Sequence, residues 1–179
     1  MNSWIGPALI AAVISSLVTA VGWLVNYRTS LGLEKERRLE KVRDFQIALR
    51  AEIRSELHHL NEENLANDLK IIEERYAKSK TYSVFAPRLA RHLVYESLVS
   101  QIHVLPESVI DPLILYTRQR ELLDQFAADM RSDRFHQINQ ARQLEMYRDY
   151  VAVALYLRSL ANDVLKALNY SLGQKGNNQ

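Results

Sequence analysis

The chain has no cysteine, and its 179 residues include only five glycines and four prolines. Without thiols there is no disulfide, no thiolate nucleophile and no cysteine-type zinc site. Glycine and proline are the residues that most disfavour helix interiors, so their scarcity predicts an all-α fold. The glycines are isolated, at Gly6, Gly22, Gly32, Gly173 and Gly176, which excludes a glycine-rich phosphate loop. No serine stands in a nucleophile elbow. A net charge of +2 sets up no strong field directed at nucleic acid. The nine tyrosines are accompanied by no basic stripe that would make a stacking surface for bases.

What is present is a long uncharged run. Trp4 to Val25 carries no charged side chain, and Arg28, Lys35, Arg37, Arg38, Lys41 and Arg43 follow. A helix rises about 1.5 Å per residue, so this run would reach across a hydrocarbon core of about 30 Å. Its polar exceptions, Ser15, Ser16 and Thr19, can bond back to helix carbonyls. Trp4 at one end, and Trp23, Tyr27 and Arg28 at the other, are the expected interfacial anchors, because indole and phenol rings favour the headgroup level. The flanking charge then predicts a single-pass protein of the inner (plasma) membrane, with its N-terminus outside and residues 28–179 cytoplasmic. A cleavable signal peptide with Val18-Thr19-Ala20 as the cleavage site is the competing reading, but the region before the run has no basic side chain and the run is too long. A buried helix of a globular core would normally be shorter.

Ala8, Ala12, Ser15, Thr19 and Gly22 recur at steps of four, three, four and three. Small residues let helix backbones approach in lipid, so this stripe is the expected transmembrane packing face, for a homo-oligomer or a protein partner. The bland alternative is that alanine and serine are common in spanning helices. From Arg28 to Arg54 there are eight basic and five acidic residues. That balance could favour anionic membrane lipid, but the interspersed acids read more simply as a solvated helix face.

Beyond the run, helical periodicity persists. Leu39, Val42, Phe45, Leu49, Ile53, Leu57 and Leu60 recur every three or four residues, predicting an amphipathic helix that could continue to about Lys78. Asn61, Asn64 and Asn67 mark where it could bend. Ser79 to Ala86 has no periodicity and reads as a loop. Pro87 suits the first turn of a second helix carrying Leu89, Leu93, Leu98 and Ile102. Asp111-Pro112 reads as the start of a third, with Leu113, Tyr116, Leu123, Phe126 and Met130 inward. A fourth runs from Asp133 to about Leu172; its centre, Tyr150 to Leu157, is apolar nearly all round and is therefore expected to be surrounded. The expected architecture is an N-terminal transmembrane helix followed by a cytoplasmic antiparallel bundle of about four helices, the first continuous with the anchor. The corresponding boundaries are 1–27 for the anchor, 28–172 for the bundle and 173–179 for a disordered tail.

Few groups invite chemistry. Glu56-Leu57-His58-His59 contains the Glu-x-x-His spacing of di-iron bundles, but such sites need a second copy and two further glutamates. Asp133-Arg134-Phe135-His136 is a poor echo of it, so solvated histidines are the ordinary reading. His92 and Glu96 read as a surface pair four residues apart. His103 precedes a proline turn and is expected against that loop. No catalytic, cofactor-binding or metal-binding residue is assigned, and no cofactor or small-molecule substrate is expected.

Val94-Tyr95-Glu96, Leu105-Pro106-Glu107 and Tyr116, together with Leu49-Arg50-Ala51-Glu52-Ile53 and the leading hydrophobic run, resemble a pattern in uncharacterised bacterial single-pass membrane-anchored helical proteins. The resemblance spans residues 4–125 in outline. It implies a bacterial origin and a single anchor, and no activity. The functional expectation is a membrane-anchored scaffold or interaction protein, or an accessory subunit of a membrane complex. The alternatives are a phage-type envelope protein with its helical domain outside the cytoplasm, and a metal-dependent helical-bundle enzyme.

Overall fold

A computed structural model describes residues 5–176, and the side chains of these apart from 5–12, 98 and 174–176. Among the described residues the fold is all-helical. Its helices are α1 (Ile5–His59), α2 (Glu62–Lys78), α3 (Leu93–Leu98), α4 (Glu107–Met130), α5 (Asp133–Gln137) and α6 (Gln140–Gly176), with a 3₁₀ segment at Val99–Val104 after α3. The chain divides into two compact units between Arg43 and Asp44, later than the expected boundary after residue 27. Helix α6 runs through Gly173, where a tail had been expected, as far as Gly176.

Among the described residues, no helix is long and apolar enough to cross a membrane. This overturns the expected single-pass inner-membrane placement, and with it the outside N-terminus, the cytoplasmic C-terminal domain and the transmembrane anchor at 1–27. Among the described residues, Ser15, Ser16 and Thr19 interrupt the apolar part of α1, and from Asn26 and Arg28 onward the helix turns polar and charged.

The second unit, Asp44 onward, is a helical bundle. Its core is built from Leu49 and Ile53 of α1, Ile72 and Tyr76 of α2, Leu113, Tyr116, Leu123 and Met130 of α4, and Ala154, Leu157, Ala161, Val164 and Leu168 of α6. Helix α4 packs chiefly on α6, as does α2. The predicted stripe of α4 is therefore correct, although Phe126 is only half-buried. The apolar centre of α6 is not surrounded: Tyr150, Val151, Ala154 and Leu157 are buried, whereas Ala152 and Tyr156 face out.

Among the described residues there are six helices where about four are expected, and local hydrogen bonding accounts for the extra breaks. The continuous helix to Lys78 stops at His59 because Asn61 adopts an extended conformation and its side chain caps α2, accepting from the Glu63 and Asn64 amides. Arg158 of α6 donates to the Leu60 carbonyl at 3.0 Å, matching a group that the end of α1 leaves free. Ser132, rather than Asp133, caps α5 through the Phe135 amide. Asn139 then accepts from the Arg142 amide at 2.9 Å and starts α6. Helix α4 begins at Glu107 rather than at Asp111-Pro112, and the Pro106 carbonyl accepts from the Val109 and Ile110 amides. Pro112 thus lies inside α4, where its missing N–H leaves one helical bond unmade.

The helix expected from Pro87 does not form. Residues 79–92 instead make a fourteen-residue strap without regular structure. Its carbonyls are matched by side chains of other elements: Arg131 donates to Ala86 (3.2 Å) and Pro87 (3.1 Å), and Gln140 to Ser79 and Tyr82, both at 2.9 Å. Arg120 donates to the Ala90 carbonyl. Only from Leu93 does a helix start.

Leu157 is fully buried and Tyr156, next to it, is 57% exposed. Leu157→Ala is expected to lower unfolding free energy by about 2–5 kcal/mol and Tyr156→Ala by less than about 1 kcal/mol, measured by urea denaturation.

Candidate functional site

The most concentrated chemistry in the bundle is a buried polar cluster joining three parts of the chain. Glu56 points inward from α1. His92 closes the strap as the N-cap residue of α3. Tyr116 and Arg120 lie one turn apart on α4. The Glu56 carboxylate accepts from Arg120 Nε at 2.9 Å, from the Tyr116 hydroxyl, and from His92 Nε2 at 2.7 Å. An ionised carboxylate can only accept, so the His92 proton facing it sits on Nε2. One turn before, the two oxygens of Glu52 accept from the Val94 (2.9 Å) and Tyr95 (3.0 Å) amides. They cap α3, a task its own N-cap residue does not perform. The His92 and Tyr116 rings stack, with centroids 5.8 Å apart and planes 20° from parallel.

The electrostatics follow from this packing. Burial alone would raise the Glu56 pKa. The hydrogen bonds from His92 and Tyr116 and the neighbouring Arg120 charge outweigh it, and hold the carboxyl below its ordinary 4.5. Burial and the adjacent Glu56 charge push the Tyr116 phenol far up. Burial, with Asp68 nearby, pushes Tyr147 up to about 12. Tyr76 and Tyr150 are also raised, chiefly by burial.

The cluster is closed. Protein donors occupy both Glu56 oxygens, and Tyr116 is fully buried. Two shallow hollows of the described surface lie away from it: an open depression on α1 at Ser15, Thr19 and Trp23, and a groove between α2 and α6 at Glu73, Tyr76 and Leu144. A general acid or base must come within reach of a substrate proton, and these groups face only one another. What the arrangement does chemically is hold α1, the strap, α3 and α4 in one register.

The sequence-level candidates fall elsewhere. Glu56 turns into the bundle while His58 and His59 are exposed, so the Glu-x-x-His spacing brings no shared ligand set together. Among the described residues, no three histidine, aspartate or glutamate side chains converge as a metal site would require. His92 and Glu96 are not a surface pair: His92 is buried against Glu56, and Glu96 instead bonds Arg91 at 2.6 Å. His136, at the weak echo of that spacing, meets Ser83 at 2.9 Å. His103 is exposed.

Of the stripe of small residues, Ser15, Thr19 and Gly22 are exposed, and a Cβ added at Gly22 would meet nothing within 4 Å. Thr19 donates to the Ser15 carbonyl at 2.8 Å, the back-bonding expected of it. The side chains of Ala8 and Ala12, and Trp4 altogether, lie outside the described residues. Trp23 and Tyr27 stack at 5.6 Å, and Arg28 beside them is exposed.

Sequence reasoning missed the cluster, although half of its signal was there. Glu52 and Glu56 fall in register with Leu49, Ile53 and Leu60, and Arg120 with Leu113, Tyr116 and Leu123. A charge inside an apolar stripe is a buried charge awaiting its partner. His92 had no such signal, because the strap has no period. Among known proteins, no family model, curated protein or solved structure matches this chain, so function has to be argued from its own geometry.

Two titrations check the site. The depressed Glu56 carboxyl contributes stability above its unfolded value of about 4.5, and that stability is lost as pH falls through the lower folded value. Chemical denaturation should therefore show unfolding free energy dropping below pH 4.5, with a shallower drop in Glu56→Gln. The raised tyrosines act in the opposite direction: their contribution is complete below an unfolded pKa near 10 and is lost as pH rises through the folded values. In absorbance titration of the folded protein, fewer than all nine phenols should ionise by pH 11, and Tyr116→Phe should remove one of the late ones.

Proposed function

We propose that this chain is an interaction protein that assembles copies of itself through the N-terminal part of α1, each copy presenting a helical bundle, antiparallel in arrangement, as its working body. The observation that carries this reading is exposure: every residue from 13 to 41 is exposed, including Val13, Ile14, Leu17, Val18, Val21, Leu24 and Val25. At about 100° per residue these seven aliphatic side chains share one arc of α1, opposite Ser15, Thr19, Gly22 and Asn26. Contiguous exposed apolar surface on this scale marks an interaction site. An isolated helix gains too little from its own hydrogen bonds to be stable without packing.

The medium decides which face drives association. In lipid the tails are as apolar as leucine, and close approach of small residues leads. In water the gain comes from removing aliphatic surface, about 25 cal/mol per Å², which selects the aliphatic arc. The buried charges of the Glu56 cluster are matched by protein groups, an arrangement that favours a scaffold over an enzyme.

Sedimentation equilibrium of the full chain at micromolar concentration should give a mass above the monomer's 20.7 kDa. Leu17→Asp/Leu24→Asp should return it to monomer mass and leave the melting of the bundle unchanged. A monomeric unmodified chain would overturn the proposal, as would one that floats with lipid vesicles and does not self-associate.

A further inference from the structure

We infer that residues 79–92 form a cover that leaves the bundle as one unit, with the Glu56 carboxylate as its latch. Fourteen consecutive residues without secondary structure are uncommon inside a compact domain, and such segments are usually functional. This one is not held by a backbone ladder. The Tyr82 amide to the Ser79 carbonyl, at 3.4 Å, is a long contact within it. Apart from the backbone bonds that join its ends to α2 and α3, its fixings come from side chains: Ser83 meets His136 at 2.9 Å, Arg91 pairs with Glu96, and three stations hold the rest. At the start, Gln140 holds the Ser79 and Tyr82 carbonyls, and the Tyr76 hydroxyl accepts from the Val84 amide at 3.1 Å while donating to Gln143 at 2.9 Å. In the middle, Arg131 forks onto the Ala86 and Pro87 carbonyls. At the end, Glu56 binds His92 directly and Arg120, which itself holds the Ala90 carbonyl.

Val84 and Ala86 of the strap are buried and Tyr82 and Leu89 pack half-buried against the core, while Phe85 is 74% exposed. The rest of its attachment is polar, and water can replace each polar bond once the segment lifts. The end station is different, because Glu56 and Arg120 are charged and mostly buried. While the strap is seated, losing one of them strands the other, so this station sets the threshold for release. Lifting the strap frees a carboxylate and a guanidinium together, and takes with it the start of α3, which Glu52 caps. The bundle can therefore alternate between a sealed state and one that presents a carboxylate paired with a guanidinium.

Amide hydrogen exchange on the full chain tests this by coupling between the two ends. The Val84 amide, held at the first station, and the Val94 and Tyr95 amides, held by Glu52 beyond the last, are expected to share one opening equilibrium. That equilibrium should lie well below that of the core amides of Leu157 and Leu168. Glu56→Gln, which removes no bond to Val84, should speed exchange at all three by the same factor, about tenfold or more. Arg131→Ala, acting at the middle station, should do so as well and keeps the test available if the first variant does not fold. Acceleration confined to Val94 and Tyr95 in Glu56→Gln would overturn the inference, and so would strap amides that exchange only with the core.

Discussion

A carboxylate placed among helices has to be matched by donors, and the bundle is organised around that requirement at Glu56. Moving a charge out of water costs several kcal/mol unless hydrogen-bonded partners replace the solvent. Glu56 obtains them from His92 and from the Tyr116–Arg120 pair of α4, all distant from it in sequence. His92 fixes the end of the strap and the pair fixes α4, so satisfying one buried ion also sets where the strap ends and how α4 meets α1. Glu52 extends the same logic by one turn, using its two oxygens on amides that α3 cannot satisfy internally.

The same economy recurs at several helix ends. Asn61, Ser132 and Asn139 cap helix starts with their own side chains, and Arg158 reaches the carbonyl just past the end of α1. Gln143 is buried between α2 and α5, accepting from Tyr76 and donating to the Phe135 and Ile138 carbonyls. Gln46 of α1 donates to Ser171 of α6 at 2.9 Å in a buried polar pair that sets their register. Apolar contacts hold these helices together non-directionally, whereas the polar bonds choose one arrangement among those that would bury similar area.

The N-terminal part of α1 obeys a different constraint. It has a wide aliphatic arc and, among the described residues, nothing of its own unit covering it. Contiguous exposed apolar surface of this kind is a driving force for interaction. Ser15, Thr19 and Gly22 lie on the side of the helix opposite this arc.

Much of the secondary structure was legible because helical periodicity is a local property. The stripes Leu49-Ile53-Leu60 and Leu113-Tyr116-Leu123 specify both a helix and its buried side, and poverty in glycine and proline specifies an all-helical chain. The strap was not legible in full. Pro87 suits a helix start by its own geometry, yet the carbonyls around it are matched by Arg120 and Arg131, which lie 30 to 45 residues further on. His92 and Glu96 look like a pair at helical spacing, but the partner that burial gives His92 is Glu56, distant in sequence. The amino-acid order by itself determined which segments are helical and which side of each is apolar, since those follow from spacing along one chain. Only the tertiary structure decided which charges are buried and against what, because the cost of desolvating an ion is met by whichever donors folding brings within about 3 Å.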